Sequence, residues 1–85
     1  LSTTSLESPE SNIEKMEVKR ILAEAIDELK EREKKVILLY YYEELTLKEI
    51  SAILGVTESR ISQIHTKAVL SLQTKLGRYK NLLFQ

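Results

Sequence analysis

Between Leu47 and Thr66, in LKEISAILGVTESRISQIHT, the apolar residues Ile50, Leu54, Val56, Ile61 and Ile64 fall at helical spacing on either side of one glycine, Gly55. This pattern predicts two short helices that cross at an angle and bury one shared contact, with the small Ser51 at their close approach. Gly55 follows Leu54 as the first helix ends. There the backbone must turn left-handed, a conformation that costs an ordinary side chain roughly 1 kcal/mol. Thr46 and Glu49 have capping-box spacing at the start of the first helix, and Thr57 is placed to cap the second. Both boundaries of a helix-turn-helix over 47–66 are thus written locally.

The chain of 85 residues suits one small domain, which buries only about 60% of its unfolded surface and is marginally stable. There is no cysteine, so a disulfide framework and thiolate metal sites are excluded, and a reducing cytoplasm is the expected compartment. No apolar run approaches the roughly 20 residues that span a bilayer, so no membrane partner is expected. The opening LSTTSLESPE is polar and turn-forming. It reads as a linker remnant over 1–10, ahead of a domain over 11–77 and a C-terminal tail over 78–85. We read the chain as a domain excised from the C-terminal end of something longer.

A net charge of zero conceals an asymmetry. Residues 1–44 hold eleven acids and seven bases, net −4, whereas residues 45–85 hold two acids and six bases, net +4. Attraction to phosphates is therefore concentrated on the helix-turn-helix half. With only a handful of bases to release counterions, the isolated domain should bind DNA weakly at physiological salt.

No glycine precedes Gly55 and the only proline is Pro9, so the expected fold is all-α, a small domain of four to five helices with no sheet. The first helix is expected over about 12–29, opened by a capping box from Ser11 to Glu14. Its core stripe is Val18, Leu22, Ala25, Ile26 and Leu29. The second is expected over about 31–42, the third over 47–54 and the fourth over 58–76, with Gly77 as its cap. Leu82, Leu83 and Phe84 either dock back on the domain or stay loose.

The second helix has an unusual run. Val36, Ile37, Leu38, Leu39, Tyr40, Tyr41 and Tyr42 are apolar or aromatic all the way round, which a single buried face cannot explain. The run is either a central core helix whose tyrosine hydroxyls reach water, or a helix shared between its own core and a partner.

On the fourth helix, a rotation of about 100° per residue places Ile61, Ile64, Ala68, Leu72 and Leu76 inward and Ser59, Ser62, Gln63 and Thr66 outward. Arg60 and Lys67 flank the polar face, where long basic side chains reach phosphates on either wall of a groove. The Gln63 amide both donates and accepts, as reading adenine requires; Ser59, Ser62 and Thr66 are less selective. Thr46, Leu47 and Lys48 present the amides of a helix N-terminus to a phosphate. Taken singly, Ser62 and Thr66 are better explained by plain solvation, and it is their joint placement that favours DNA. His65 lies about 40° from Ile61 on the helical wheel, which favours a partly packed histidine over a DNA contact. Leu70 faces outward as a single surface leucine.

Little supports an enzyme. No glycine-rich phosphate loop, metal-ligand spacing or nucleophile with a base is present, and no cofactor or small-molecule substrate is expected. The run Glu31, Glu33, Lys34 and Lys35 reads as a solvated helix face.

The segment EREKKV at 31–36, with Leu29 shortly before it and LTLKEISAILGVTESRISQIHTKAVLSL after it, resembles domain 4 of bacterial sigma-70 family factors. Arg32, Glu33 and Val36 match the family's region 4.1, and Thr46 through Leu72 match its region 4.2. LYYYEELTLKEI, Leu39 to Ile50, is most similar to the flagellar and motility branch of alternative sigma factors. The resemblance implies promoter recognition within RNA polymerase holoenzyme, with the fourth helix in the major groove of the minus-35 element. It implies that the preceding helices hold the flap tip of the polymerase beta subunit, and that an anti-sigma factor occludes such surfaces. By alignment, Thr46, Leu47 and Lys67 would contact phosphates, while Glu58, Ser59, Ser62 and Gln63 would lie nearest base edges.

Departures from the housekeeping pattern matter. Glu58 and Ser62 replace arginine, so the preferred promoter should differ; Leu70 and Ser71 replace basic residues, which weakens autonomous binding. Leu38 and Tyr40 are apolar where housekeeping factors carry arginine. With Tyr41 and Tyr42 they form the expected partner interface. Two alternatives stand beside promoter recognition: the output domain of a response regulator, and a helical protein-interaction module without DNA binding.

Overall fold

The computed structural model describes residues 9–83, and these form four α-helices, one of them extended by a π-helical turn. Helix α1 spans Pro9–Asp27, α2 Glu31–Ile37, α3 Leu47–Leu54 and α4 Glu58–Leu83; the π-turn, Leu38–Tyr42, continues α2. No strand occurs among the described residues.

Helix α1 opens at Pro9, earlier than expected. Proline suits a first helical turn, because its missing N–H would have had no partner there. Ser11 consequently lies inside the helix and does not cap it, and Pro9 and Glu10 belong to the helix and not to a linker. Residues 1–8, expected to be linker, lie outside the described residues. The helix also ends sooner, at Asp27. Its last turn tightens as the Leu29 N–H donates to the Ile26 carbonyl at 3.1 Å, and Leu29 is carried into the core. The stripe needs one correction: Val18 is 56% exposed, whereas Ile21 is buried. The buried residues of α1 begin about one turn after Val18, at Ile21, so the stripe starts before the core that covers it.

Two clusters share the interior. Ala25, Ile26, Leu29, Ile37, Ala68 and Leu72 join α1, α2 and α4, with Leu22, Val69 and Leu76 packed at the edge. Val36, Ile50, Ile61 and Ile64 join α2, α3 and α4, bordered by Leu39, Leu45, Leu47, Leu54 and Val56. Adjacent residues of α2 therefore serve different cores. Val36 and Ile37, about 100° apart on the helix, are 0% and 2% exposed, which makes α2 the element on which both halves close. Glu33 lies one turn before them and is buried too, contrary to the solvated face expected for the run from Glu31 to Lys35. Ion pairs Asp27–Lys34 at 2.8 Å and Glu28–Lys75 at 3.1 Å tie α1 to α2 and α4.

Helix α4 does not stop at Gly77. That residue lacks the positive φ of a glycine cap and the helix continues to Leu83, about 39 Å in all. An internal helical glycine costs only about 1 kcal/mol, less than the contacts Leu76 and Leu72 make just before it can offset. Leu82 and Leu83 belong to this helix, but the question of their side chains, like Phe84, lies outside the described residues.

The turn between α3 and α4 is built as its sequence requires. Gly55 has φ +70°, and its N–H donates to the Ser51 carbonyl at 2.9 Å; the Val56 N–H reaches the same oxygen at 3.2 Å. The Ser51 hydroxyl donates to the Val56 carbonyl and closes the loop from the other side. A Cβ added at Gly55 would meet nothing within 4 Å. The cost of Gly55→Ala is therefore purely conformational, and we expect a loss of roughly 1 kcal/mol in a denaturant titration, with the native fold retained.

Candidate nucleic-acid interface

Helix α4 is seated from below by Ile61 and Ile64, both buried against Ile50 of α3 and Val36 of α2. Two inward positions three residues apart fix which residues face out. Glu58, Ser59, Arg60, Ser62, Gln63, Thr66 and Lys67 are all exposed. Ser62, Gln63, Thr66 and Lys67 share a single shallow depression with Leu70, so the polar side chains proposed from helical spacing do lie together. Arg60 and Lys67 make no ion pair with any described residue, which leaves both guanidinium and ammonium free for an external anion. Lys75, two turns further on, is already held by Glu28.

The start of α4 is capped as expected, with the Arg60 N–H donating to Thr57 Oγ1 at 3.1 Å. At the start of α3 the capping box is complete: the Glu49 N–H donates to Thr46 Oγ1 at 3.1 Å, and the Thr46 N–H donates to Glu49 Oε1 at 3.0 Å. These bonds from the Thr46 backbone and hydroxyl hold the Glu49 carboxyl below the usual carboxylate range. They also change what this helix end can offer. The Thr46 amide is occupied by a carboxylate, so the amides left for a phosphate are those of Leu47 and Lys48, with the Lys48 side chain exposed beside them.

The apolar run of the second helix divides. Val36 and Ile37 are core and Leu39 is half-buried, whereas Leu38, Tyr40, Tyr41 and Tyr42 are exposed. The run is therefore not fully enclosed within the described residues. The four exposed residues are those expected to face a partner.

One arrangement escaped the sequence analysis. Tyr41 Oη and His65 Nε2 are hydrogen-bonded at 2.7 Å across 24 residues of chain, with the Tyr41 ring stacked on the imidazole and the Tyr40 ring edge-on to it. His65 is partly packed, as its angular position on the helix predicts, but its partners could not be read from spacing. A second unforeseen feature is Glu44, a non-glycine residue with φ 56° where the π-turn ends.

Residues 25–74 match the protein family described as Sigma-70, region 4. Among curated proteins, the RNA polymerase sigma factor FliA of Escherichia coli (strain K12) is 50% identical over 72 residues, which cover 85% of this chain and 30% of that protein. FliA of Yersinia enterocolitica is 57% identical over 54 residues, covering 64% of this chain and 24% of the relative. The RNA polymerase sigma-D factor of Bacillus subtilis (strain 168) is 52% identical over 70 residues, covering 82% of this chain and 28% of the relative. The chain thus spans less than a third of the length of these relatives. The family match takes in α2 and its π-turn as well as the helix-turn-helix itself, which separates this chain from the response-regulator alternative.

Proposed function

The chain belongs to the sigma-70 family as a region 4 domain, and from that premise we propose that it recognises the minus-35 element of promoters as part of an alternative sigma factor of the flagellar type. The observation that carries this reading is the outward face of α4. Ser59, Ser62, Gln63 and Thr66 form a polar strip between two unpaired bases, on a helix whose roll is set by buried isoleucines. An α-helix with its side chains is about 10–12 Å across and a major groove about 12 Å wide, so the strip meets base edges while Arg60 and Lys67 meet the walls. The amides of Leu47 and Lys48 would hold a further phosphate, and Glu58 would sit at the edge of the reading strip, where its charge disfavours close approach to the backbone.

On this reading the domain contributes no catalysis and acts within RNA polymerase holoenzyme. The exposed Leu38, Tyr40, Tyr41 and Tyr42 would face protein: the beta flap of the polymerase in the holoenzyme, and an anti-sigma factor when the domain is sequestered. No helix among the described residues is long and apolar enough to cross a membrane.

Gln63→Ala tests the base-reading role. In holoenzyme built with the full parent chain, the variant is expected to lose about tenfold in discrimination at one base pair of the element, a single bidentate contact contributing about 1–3 kcal/mol. Affinity for unrelated sequences should hold steady. Binding measured against a panel of singly substituted elements gives the answer, and discrimination unchanged at every position would remove Gln63 from the reading set.

A further inference from the structure

Resting on the promoter reading above, we propose that His65 is a positioning residue for base recognition, locked by Tyr41 and Tyr40 so that the π-turn sets the roll of α4 in the groove. The contacts that seat α4 from below are apolar: Ile61 and Ile64 against Ile50 and Val36. Such contacts choose which face of α4 turns inward but, having little directional preference, leave the last few degrees of its roll loosely set. A hydrogen bond is directional, weakening steeply as its angle departs from linear. Tyr41 Oη and His65 Nε2, 2.7 Å apart, supply one between the π-turn and the reading helix. The rings around it restrict it further. Tyr41 stacks on His65 with centroids 5.5 Å apart and planes at 29°, Tyr40 meets His65 edge-on at 5.0 Å and 63°, and Tyr40 meets Tyr41 at 4.9 Å and 87°.

The lever is short and its effect large. His65 sits between buried Ile64 and outward Thr66, two residues after Gln63. With side-chain tips about 6 Å from the helix axis, a roll of about 10° moves the Gln63 amide by about 1 Å. Hydrogen bonds to base edges tolerate a spread of only about 0.5 Å in length, so such a roll breaks them. Phosphate contacts by Arg60 and Lys67 survive it, because long flexible side chains follow a charge over that distance. The clamp therefore acts on which sequence is bound more than on whether DNA is bound.

The turn that carries the tyrosines is itself held in an unusual shape. The Glu43 N–H donates to the Leu38 carbonyl at 3.1 Å and the Leu45 N–H to the Leu39 carbonyl at 3.0 Å, wider rings than those of an α-helix. Glu44 completes the turn in a left-handed conformation, which persists only where surrounding contacts impose it. The widened turn and the ring cluster are one unit, and its far end is the reading helix.

The test uses holoenzyme assembled with the full parent chain carrying Tyr41→Phe, His65→Phe or both. Each variant keeps a ring and loses the hydrogen bond. Affinity is measured for the preferred minus-35 element and for singly substituted elements, together with the salt dependence of binding and the melting temperature. We expect each single variant to lower the preferred-to-substituted affinity ratio three- to tenfold, with the double variant no worse than the singles. The salt slope should stay the same and the melting temperature nearly so. A ratio unchanged in both single variants overturns the inference, as do losses that add up in the double variant. An equal loss of affinity for every element, preferred and substituted alike, in Tyr41→Phe overturns it as well, because the hydroxyl would then be a sequence-independent phosphate contact. Arg60→Glu in the same assay separates the two levels: if it leaves promoter binding intact, the DNA reading fails; if it abolishes binding while the clamp variants do nothing, only the clamp fails.

Discussion

Ile61→Ala is expected to lower the melting temperature of this 85-residue chain by more than 10 °C. Ile61 is 0% exposed and stands where α2, α3 and α4 meet, in contact with the cluster of Val36, Ile50 and Ile64. Truncating a buried isoleucine to alanine removes its transfer free energy and leaves a cavity, together about 2–5 kcal/mol. The cavity cannot readily collapse, because three helices converge on it from different directions. A chain of this length has a total stability of roughly 4–13 kcal/mol, so the substitution removes a large share of it. At about 4–8 °C per kcal/mol for a domain of this size, a loss near 3 kcal/mol corresponds to a shift of about 12–24 °C. Ile53→Ala is the matched control: Ile53 lies on α3 but is 59% exposed, and its loss should shift the melting temperature by only about 2–4 °C. Thermal melts followed by circular dichroism compare the two. Equal shifts would mean that α4 is not seated on the Ile61 contact, and the orientation of its reading face would lose its physical basis.

What could be read from sequence follows the range of the interaction concerned. The capping box of Thr46 and Glu49, the left-handed Gly55 and the cap at Thr57 all involve partners three or four residues apart, and each is found where local chemistry puts it. The inward and outward faces of α4 were legible for a related reason. A single helical period relates Ile61, Ile64, Ala68 and Leu72 without knowledge of what they pack against. Errors arose where the outcome depends on a distant element. Periodicity gives the phase of a stripe but not where its covering helix stops, so it places Val18 in a core that begins only at Ile21. Gly77 has the composition of a helix end without its geometry: glycine permits a left-handed stop but does not enforce one. Glu33 was read by its charge, although its place one turn before Val36 and Ile37 turns it inward. The Tyr41–His65 bond joins residues 24 apart through a π-winding that no spacing rule encodes, so neither its existence nor its geometry could be foreseen.

The charge asymmetry acquires a structural meaning in this arrangement. Among the acids of the N-terminal half, Glu17 and Glu24 are paired with Arg20, and Asp27 and Glu28 with Lys34 and Lys75. Those pairs set four acids against three bases and so reduce, without cancelling, the negative field at this end of the domain. The exposed bases of the helix-turn-helix have no such partners. The net +4 of residues 45–85 thus includes exposed bases on the helix-turn-helix, which favours an oriented approach to a polyanion.

Reversing that charge should therefore weaken promoter binding sharply. Arg60→Glu combined with Lys67→Glu removes two phosphate contacts, and at about 0.15 M salt the lost counterion release alone is worth about 30-fold in affinity. Two new carboxylates facing phosphates add repulsion, so the total loss should exceed that figure. The diagnostic is the salt dependence: the slope of log affinity against log salt should fall in magnitude by about two, one for each contact, while the ranking of promoter sequences is retained. Lys19→Glu, the same kind of reversal made once on the exposed face of α1, is the control and should leave both affinity and slope nearly unchanged. The measurement belongs in holoenzyme, where binding by the rest of the assembly holds the weak contact in place. If the doubly reversed protein binds and initiates as well as the original, the exposed strip of α4 does not face DNA, and the domain would have to act through the tyrosine-bearing turn alone.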